Sequence, residues 1–436
     1  MTTRAEAPVA RHGLGASLSA SVAILCVNLV TGVLLARSLG PVDRGVLAAA
    51  VLWPTMLGVV GTLGLPEAVT YRVARDGAVR PVVLWTAAGA AALQAAGFLV
   101  LGAAVVVAVL APHASASLGP ALLFLGEIPL AIVSLTFAGM VNGRSRHTAF
   151  HALRLLVVGV TLPLLLALEL AGALSVWTIV AVYLASRIVT AIAACRIAWP
   201  TGAAGRPEFD RALARELWSY GLRSHASGIS AHLNQRVDQL AVSAFLAADR
   251  LGTYVVAASL NSVGWLVGVS VGYVALPTLA STDDEQHRRE LAEQFVGLTL
   301  LMTIAVALPL AVLAPTLISF LYGDAYHEAG NIARILLAAV VLYSASRTIE
   351  AILRAVGRPL DAGLAEILAL VATLVAVAAL LPALGLIGAA LASVVGAATG
   401  VTWMLRRVSL ALDVPAWRVA LPRPAAVRAA LRRPSR

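Results

Sequence analysis

Residues 13–45 read GLGASLSASVAILCVNLVTGVLLARSLGPVDRG, and this run decides the fold. Residues 13–36 carry no charge. A hydrocarbon core ~30 Å thick is crossed by ~20 apolar residues at 1.5 Å each, so the run predicts a membrane-spanning helix. It follows a basic start, as a signal peptide would, but its length and the spans after it favour a retained first helix. A short polar turn follows, with Arg37, Asp43 and Arg44, before apolar sequence resumes at Val46. The pattern recurs along the chain. Twelve spans are expected, near 14–36, 46–66, 81–111, 119–141, 150–169, 173–197, 217–247, 252–280, 292–321, 328–356, 361–381 and 384–405.

The arginines orient these spans. All 32 Lys+Arg residues are Arg. One alternate set of gaps and the two ends hold Arg4, Arg11, Arg72, Arg75, Arg80, Arg144, Arg146, Arg196, Arg206, Arg211, Arg215, Arg288, Arg289, Arg354, Arg358 and eight more over 406–436. The other set holds Arg37, Arg44 and Arg250. Arg-rich gaps stay in the cytoplasm, so both termini are expected inside. Six arginines, from Arg154 to Arg347, belong to the spans themselves.

A chain of 436 residues that is 60% hydrophobic and 12% charged lies far from soluble composition. The net charge of +10 is not a nucleic-acid footprint: residues 406–436 hold eight Arg and one Asp, which is +7 in that tail alone. The tail reads as a Pro-interrupted, flexible segment on anionic membrane lipids, with Trp417 at the interface. Cys26 and Cys195 lie in spans and are expected to be packed thiols without a disulfide. The absence of Lys and the abundance of Ala, Arg, Val and Gly fit a GC-rich bacterial genome.

The expected organisation is a six-span lobe over 1–199, a cytoplasmic amphipathic linker over 200–216, a second six-span lobe over 217–405 and the basic tail over 406–436. In the linker Phe209, Leu213 and Leu217 recur every four residues, which predicts a short surface helix. The lobes repeat weakly. Leu39-Gly40-Pro41-Val42-Asp43-Arg44-Gly45 aligns with Leu246-Ala247-Ala248-Asp249-Arg250-Leu251-Gly252 at an offset of 207 residues. Leu65-Pro66 and Leu276-Pro277 fall at matching span ends. An even number of spans per half gives a parallel repeat about an axis along the membrane normal. The fold class is therefore all-α, in two bundles facing a central cavity; a single bundle is the alternative. Gly264, Gly268 and Gly272, and Gly388, Ala392, Gly396 and Gly400, have the spacing that brings helix backbones close. Pro129, Pro163, Pro309 and Pro315 permit kinks.

Charge inside a membrane is costly and faces a partner or water. The seventh span carries Arg223, His225, His232, Asn234, Gln235, Arg236, Asp238 and Gln239. Helical spacing puts Arg223, Ser227, Ser230, Asn234 and Asp238 on one face, and His225, His232, Arg236 and Gln239 on an adjacent stripe. The span is either a wall of a transport cavity or a structural polar network. Arg347, Glu350 and Arg354 share a face of the tenth span, with a Glu350–Arg354 ion pair expected. Arg187 lies deep in the sixth. Arg154, beside His151, and Arg334 lie near span ends, where they snorkel. Glu127 sits in the fourth span and Glu366 in the eleventh.

The substrate-binding candidates are Arg187, Arg223, Asn234, Arg236, Asp238 and Arg347. Their excess of cations suits phosphate or acidic groups, which guanidinium forks bind while keeping their charge. Asp238, Glu127 and Glu366 are the candidates for ion coupling. No cofactor or metal set is expected: there is no Walker A sequence, no His/Cys/Asp cluster with metal spacing, and no Gly-x-Ser-x-Gly elbow is read. The outer gaps offer only Asp43, Glu169, Asp249, Asp324 and Glu328 as acids, scant support for an enzyme.

Several motifs carry a family resemblance. Ala36-Arg37-Ser38-Leu39-Gly40-Pro41-Val42-Asp43-Arg44-Gly45, following a first span, resembles the start of polysaccharide-biosynthesis flippases of the multidrug/oligosaccharidyl-lipid/polysaccharide exporter superfamily. Arg236-Val237-Asp238-Gln239-Leu240 and Leu251-Gly252-Thr253-Tyr254-Val255-Val256-Ala257 are also similar. So are Leu321-Tyr322-Gly323-Asp324-Ala325-Tyr326-His327-Glu328-Ala329 and Leu386-Ile387-Gly388-Ala389-Ala390. The resemblance implies a two-lobed fold of about twelve to fourteen helices with alternating access. It implies movement of a polyprenyl-pyrophosphate-linked oligosaccharide across a bacterial cytoplasmic membrane, with glycan polymerases or glycosyltransferases as partners and no nucleic acid. Arg236 and Asp238 match a charged position in such proteins, Asp238 ordering Arg236 or carrying a proton. Twelve spans fit the oligosaccharide flippases better than the fourteen-helix peptidoglycan-precursor branch. The first span has only Asn28 and no acid, a departure from proton-coupled drug exporters. A drug exporter and an enzyme polymerising or ligating lipid-linked glycans are the alternatives.

Overall fold

The computed structural model describes residues 7–199 and 206–420, which are helical with no strand. In chain order the helices are α1 (Ala7–Gly61), α2 (Leu65–Asp76), α3 (Pro81–His113), α4 (Ser115–Phe124), α5 (Glu127–Gly143), α6 (His147–Leu170), α7 (Val176–Ala198), α8 (Arg211–Asn234), α9 (Val237–Phe245), α10 (Ala248–Ser259), α11 (Asn261–Ala280), α12 (Glu285–Tyr322), α13 (Ala329–Ala355), α14 (Pro359–Leu412) and α15 (Ala416–Ala420). A 3-10 turn, Asp324–Tyr326, precedes α13.

Two of these runs are double. α1 breaks at Gly40, with φ 71° and ψ 176°, and α14 at Gly385, with φ 57° and ψ −132°. Glycine enters positive φ without the Cβ clash that other residues meet. Eight described runs are long and apolar enough to cross a membrane. With α1 and α14 counted twice they supply ten of the twelve expected passes. The seventh and eighth correspond to α8–α9 and α10–α11, which are interrupted, and in the first case polar. The chain is a multi-pass membrane protein.

By contact the chain forms two compact units: residues 1–229 with 243–252, and residues 230–242 with 253–436. In the first, α5 is the central helix, packed on α2, α3 and α7. In the second, α13 is central, packed on α11, α12 and α14. The glycine stripes are the reason for the tight packing. A Cβ on Gly264 would meet Val340, on Gly268 the Ser344 backbone, and on Gly272 the Arg347 carbonyl at 3.3 Å, all on α13. Ser344 Oγ donates to Gly264 O at 2.7 Å across this contact. A Cβ on Gly396 would meet Thr373 and the Ala369 carbonyl, and one on Gly400 the Ala369 side chain, folding the two halves of α14 together.

The repeat-related turns meet within the first unit. A Cβ on Gly45 would strike the Ala248 carbonyl, and one on Gly252 the Pro41 carbonyl. The contact is reciprocal, as a local two-fold generates.

Four sequence expectations change. Residues 211–216 are not a separate surface helix but the first turns of α8, which runs unbroken into the seventh span. Asp210 caps it, its Oδ1 accepting from Ala212 N at 2.7 Å and Leu213 N at 3.1 Å. Residues 200–205 of the expected linker lie outside the described residues. The tail is not flexible from 406 onward: α14 reaches Leu412, Val414 and Val419 are buried, and Arg407 Nη2 pairs with Asp361 at 2.7 Å. Residues 421–436 lie outside the described residues. Both cysteines are free, but Cys26 is exposed rather than packed. Lastly, Gly268-Val269-Ser270-Val271-Gly272 does have Gly-x-Ser-x-Gly spacing, contrary to the sequence reading. It lies inside α11, where Ser270 Oγ donates to Leu266 O at 2.7 Å, so it forms no strand-to-helix elbow.

Candidate functional site

The helix breaks between α8 and α9, where Gln235 and Arg236 interrupt the seventh span. A continuous helix over 217–247 was expected, with Asp238 on the face of Asn234. The break places Asp238 on a different helix, and Ser227's side chain lies outside what is described. A helix end leaves carbonyls and N–H groups to be satisfied. Here Tyr343 Oη donates to Asn234 O at 3.4 Å. At the start of α9, Asp238 Oδ1 accepts from Gln239 N at 2.7 Å. Asp238 Oδ2 accepts from Tyr254 Oη at 2.7 Å and Ser393 Oγ at 2.9 Å. A buried carboxylate is tolerated when its lone pairs are filled in this way. Arg236 is exposed, and its Nη1 donates to Gln239 Oε1 at 3.0 Å. Gln239 therefore holds Arg236 by a hydrogen bond, while Asp238 acts on it by charge.

A second cluster joins α8 to α13 and α14. Glu366 accepts from Asn234 Nδ2 at 2.9 Å through Oε2 and from Arg347 through Oε1. Asn234 Nδ2 also reaches the Glu366 carbonyl at 2.9 Å. Arg347 Nη1 pairs with Glu350 Oε2 at 2.8 Å, and Glu350 pairs with Arg354 as expected. Arg347 is thus matched by two carboxylates, with side-chain exposures of 17% for Arg347, 13% for Glu350 and 8% for Glu366.

In the first unit, Glu127 at the start of α5 meets Arg187 of α7, Oε1 to Nε at 3.0 Å. Glu127 Oε2 is buried without a hydrogen-bond partner. Arg187 had no charged neighbour along its own helix; the fold supplies one. Arg223 is exposed, and its Nε donates to Ser219 O one turn back at 3.0 Å. Neither Arg223 nor Arg236 forms a salt bridge among the described residues. Of the four arginines singled out, Arg187 and Arg347 form salt bridges.

Within the second unit, the structure brings together Asn234, Glu366 and Arg347, and places Asp238 with residues the sequence reading had not named as site residues. These are Tyr254, Ser393 and Tyr343. Tyr254 stands in the stretch 251–257 that carries the family resemblance, and Tyr343 lies one turn from Arg347, so both had a local signal. Ser393, among small residues of α14, had none. The central helix of each unit carries a partly buried ion pair: Glu127 on α5 with Arg187, Arg347 with Glu350 on α13.

This architecture defines a class, an all-helical multi-pass membrane protein built of two compact units. A lipid II flippase MurJ in an inward closed conformation superposes with a TM-score of 0.76 at 14% identity, over 95% of this chain and 90% of that one. An inward-facing multidrug resistance MATE family transporter of the MOP superfamily superposes at 0.72 with 15% identity, over 91% and 99%. At these identities the likeness is one of fold. Residues 34–331 match the polysaccharide biosynthesis protein model. The chain belongs to that family. No curated protein sequence matches it.

Proposed function

We propose that this protein is a flippase of a bacterial cytoplasmic membrane. It moves a polyprenyl-pyrophosphate-linked oligosaccharide from the cytoplasmic to the outer leaflet by alternating access, for exopolysaccharide or cell-envelope glycan synthesis. It does no covalent chemistry, works beside glycan polymerases or glycosyltransferases, and keeps both termini in the cytoplasm. The carrying observation is the break between α8 and α9, which presents Arg236 as an exposed guanidinium with no salt bridge among the described residues. Interrupted helices are a means by which transporters bring polar groups to a substrate inside the membrane. Arg223 and Arg236 contact the pyrophosphate or acidic sugars. Asn234 and Asp238 hold the break in shape, while Arg187 and Arg347 stabilise the interior of each unit and meet substrate only if their carboxylates release them. Asp238, Glu127 and Glu366 are the groups through which a proton or sodium ion couples.

The MATE fold supports drug export as a second reading. A site for drug cations should be acidic, and the exposed charges among the site residues, Arg223 and Arg236, are cationic. Depletion in the native host separates the two. Accumulation of a cytoplasmic-leaflet polyprenyl-pyrophosphate oligosaccharide, rescued by wild type and not by Arg236→Ala, is the expected result. Increased drug sensitivity without accumulation establishes the exporter instead.

A further inference from the structure

The first unit carries a groove that none of this uses. It has a volume of about 390 Å³ and is lined by Leu63, Leu93, Gln94, Gly97, Phe98, Leu101, Trp218 and Leu222, between α3 and α8. Its walls are apolar and its flanks exposed: Leu93 is 62% exposed and Leu222 52%. A Cβ on Gly97 would meet nothing within 4 Å, so the floor is open. Two polar side chains break the apolar lining. Gln94 is 6% exposed, and among the described residues neither its Nε2 nor its Oε1 has a hydrogen-bond partner; Trp218 Nε1 has none there either. An amide buried without a partner costs about 1–3 kcal/mol, so an occupant with a polar group at this level relieves a penalty as well as filling space.

The elements fix the groove's level. α8 is tied to α3 at its start, where Asp210 N donates to Thr86 Oγ1 at 3.0 Å and Phe209 lies on Gly89. Arg72 and Glu216 pair beside it at 3.1 Å, a surface ion pair. Along α8, Arg211, Arg215, Trp218 and Leu222 are spaced four, three and four, so they form one stripe. Arg211 and Arg215 are exposed. The stripe runs from two cations through an indole N–H to apolar groove, and Arg215 and Trp218 are about 5 Å apart along the axis. An aromatic with one polar edge at that position marks the membrane–water interface.

We propose that this groove is a binding site for one anionic glycerophospholipid. Its phosphate meets Arg211 and Arg215, an ester carbonyl accepts from Trp218 Nε1 and Gln94 Nε2, and the acyl chain lies over Gly97, Phe98 and Leu101. The rotors of Gln94 turn its amide to the open floor at Gly97. A polyprenyl phosphate offers the same charge and apolar chain but no carbonyl between them, so it leaves both donors unpaired.

The test uses the full-length protein in detergent, stripped of lipid and titrated with palmitoyl-oleoyl phosphatidylglycerol, with native mass spectrometry reading the tightest-bound lipid. Gly97→Leu fills the floor where there is room, and Trp218→Phe keeps the ring and removes the donor. Each is expected to weaken that lipid about tenfold, and Gln94→Leu to do so while leaving the lipid-free thermal midpoint unchanged or raised. Phosphatidylcholine, with the same carbonyls and no net charge, is expected to bind several-fold more weakly, and undecaprenyl phosphate likewise. Equal binding by wild type and Gly97→Leu overturns the site. Preference for undecaprenyl phosphate overturns the glycerolipid assignment.

Discussion

Glu366 joins three helices through one carboxylate, with Asn234 on one oxygen and Arg347 on the other. Removing one member of a buried pair leaves a charge without compensation, at a cost of about 3–5 kcal/mol. Glu366→Ala is therefore expected to lower the thermal midpoint of the detergent-solubilised protein by several degrees. Exchange of an exposed acid such as Glu208, by contrast, should leave it unchanged. An unaltered midpoint for Glu366→Ala means that Glu350 alone holds Arg347. Tyr254→Phe removes the donor to Asp238 Oδ2, and hydrogen bonds to charged groups contribute about 1.5–3 kcal/mol. The variant should insert normally and unfold earlier. A midpoint equal to wild type shows that Ser393 suffices. The charged residues themselves were visible in the sequence, because ionisable side chains within apolar runs stand out. Their pairings were not, since Glu366 and Arg347 share no helix and no local spacing relates them.

At the level of elements, glycine spacing foretold close approach, and the structure shows what is approached. Gly45 and Gly252, matched by the repeat, abut each other's turns through the Ala248 and Pro41 carbonyls. A side chain at either must displace backbone, and overpacking of a tight contact costs about 1–3 kcal/mol or more. Gly45→Val and Gly252→Val should each shift the protein from a monodisperse to an aggregated peak on size exclusion, whereas Gly159→Val, with nothing within 4 Å, should not. A monodisperse Gly45→Val would show that the turns can separate. The helix breaks were half legible. Gly40-Pro41 announces its own break, whereas Gln235-Arg236 carries no breaker, and the seventh span was taken as continuous for that reason. Its interruption depends on Tyr343 and Asp238 receiving the freed backbone groups, which are tertiary contacts.

For the whole molecule the orientation is testable. The arginine bias expects the gaps near Ser145 and Asp283 in the cytoplasm and those near Gly172 and Asp324 outside. In a chain carrying Cys26→Ser and Cys195→Ser, an impermeant maleimide applied to spheroplasts should label Gly172→Cys and Asp324→Cys. Ser145→Cys and Asp283→Cys should react only after lysis. The reverse pattern would invert the protein and the direction of transport.

Hydropathy and arginine placement are properties of local composition, and a bilayer reads them one segment at a time. That is why the membrane class and most of the spans followed from the chain alone. Short motifs added the family, which the match over residues 34–331 shows. Charge balance is different, because it is set by which helices lie side by side. Only the tertiary structure matched Arg187 with Glu127 and Arg347 with Glu350 and Glu366. It left Arg223 and Arg236 without a salt bridge among the described residues, and it broke the seventh span where Arg236 stands. A guanidinium's availability depends on the carboxylates around it in space, which sequence spacing along one helix does not determine.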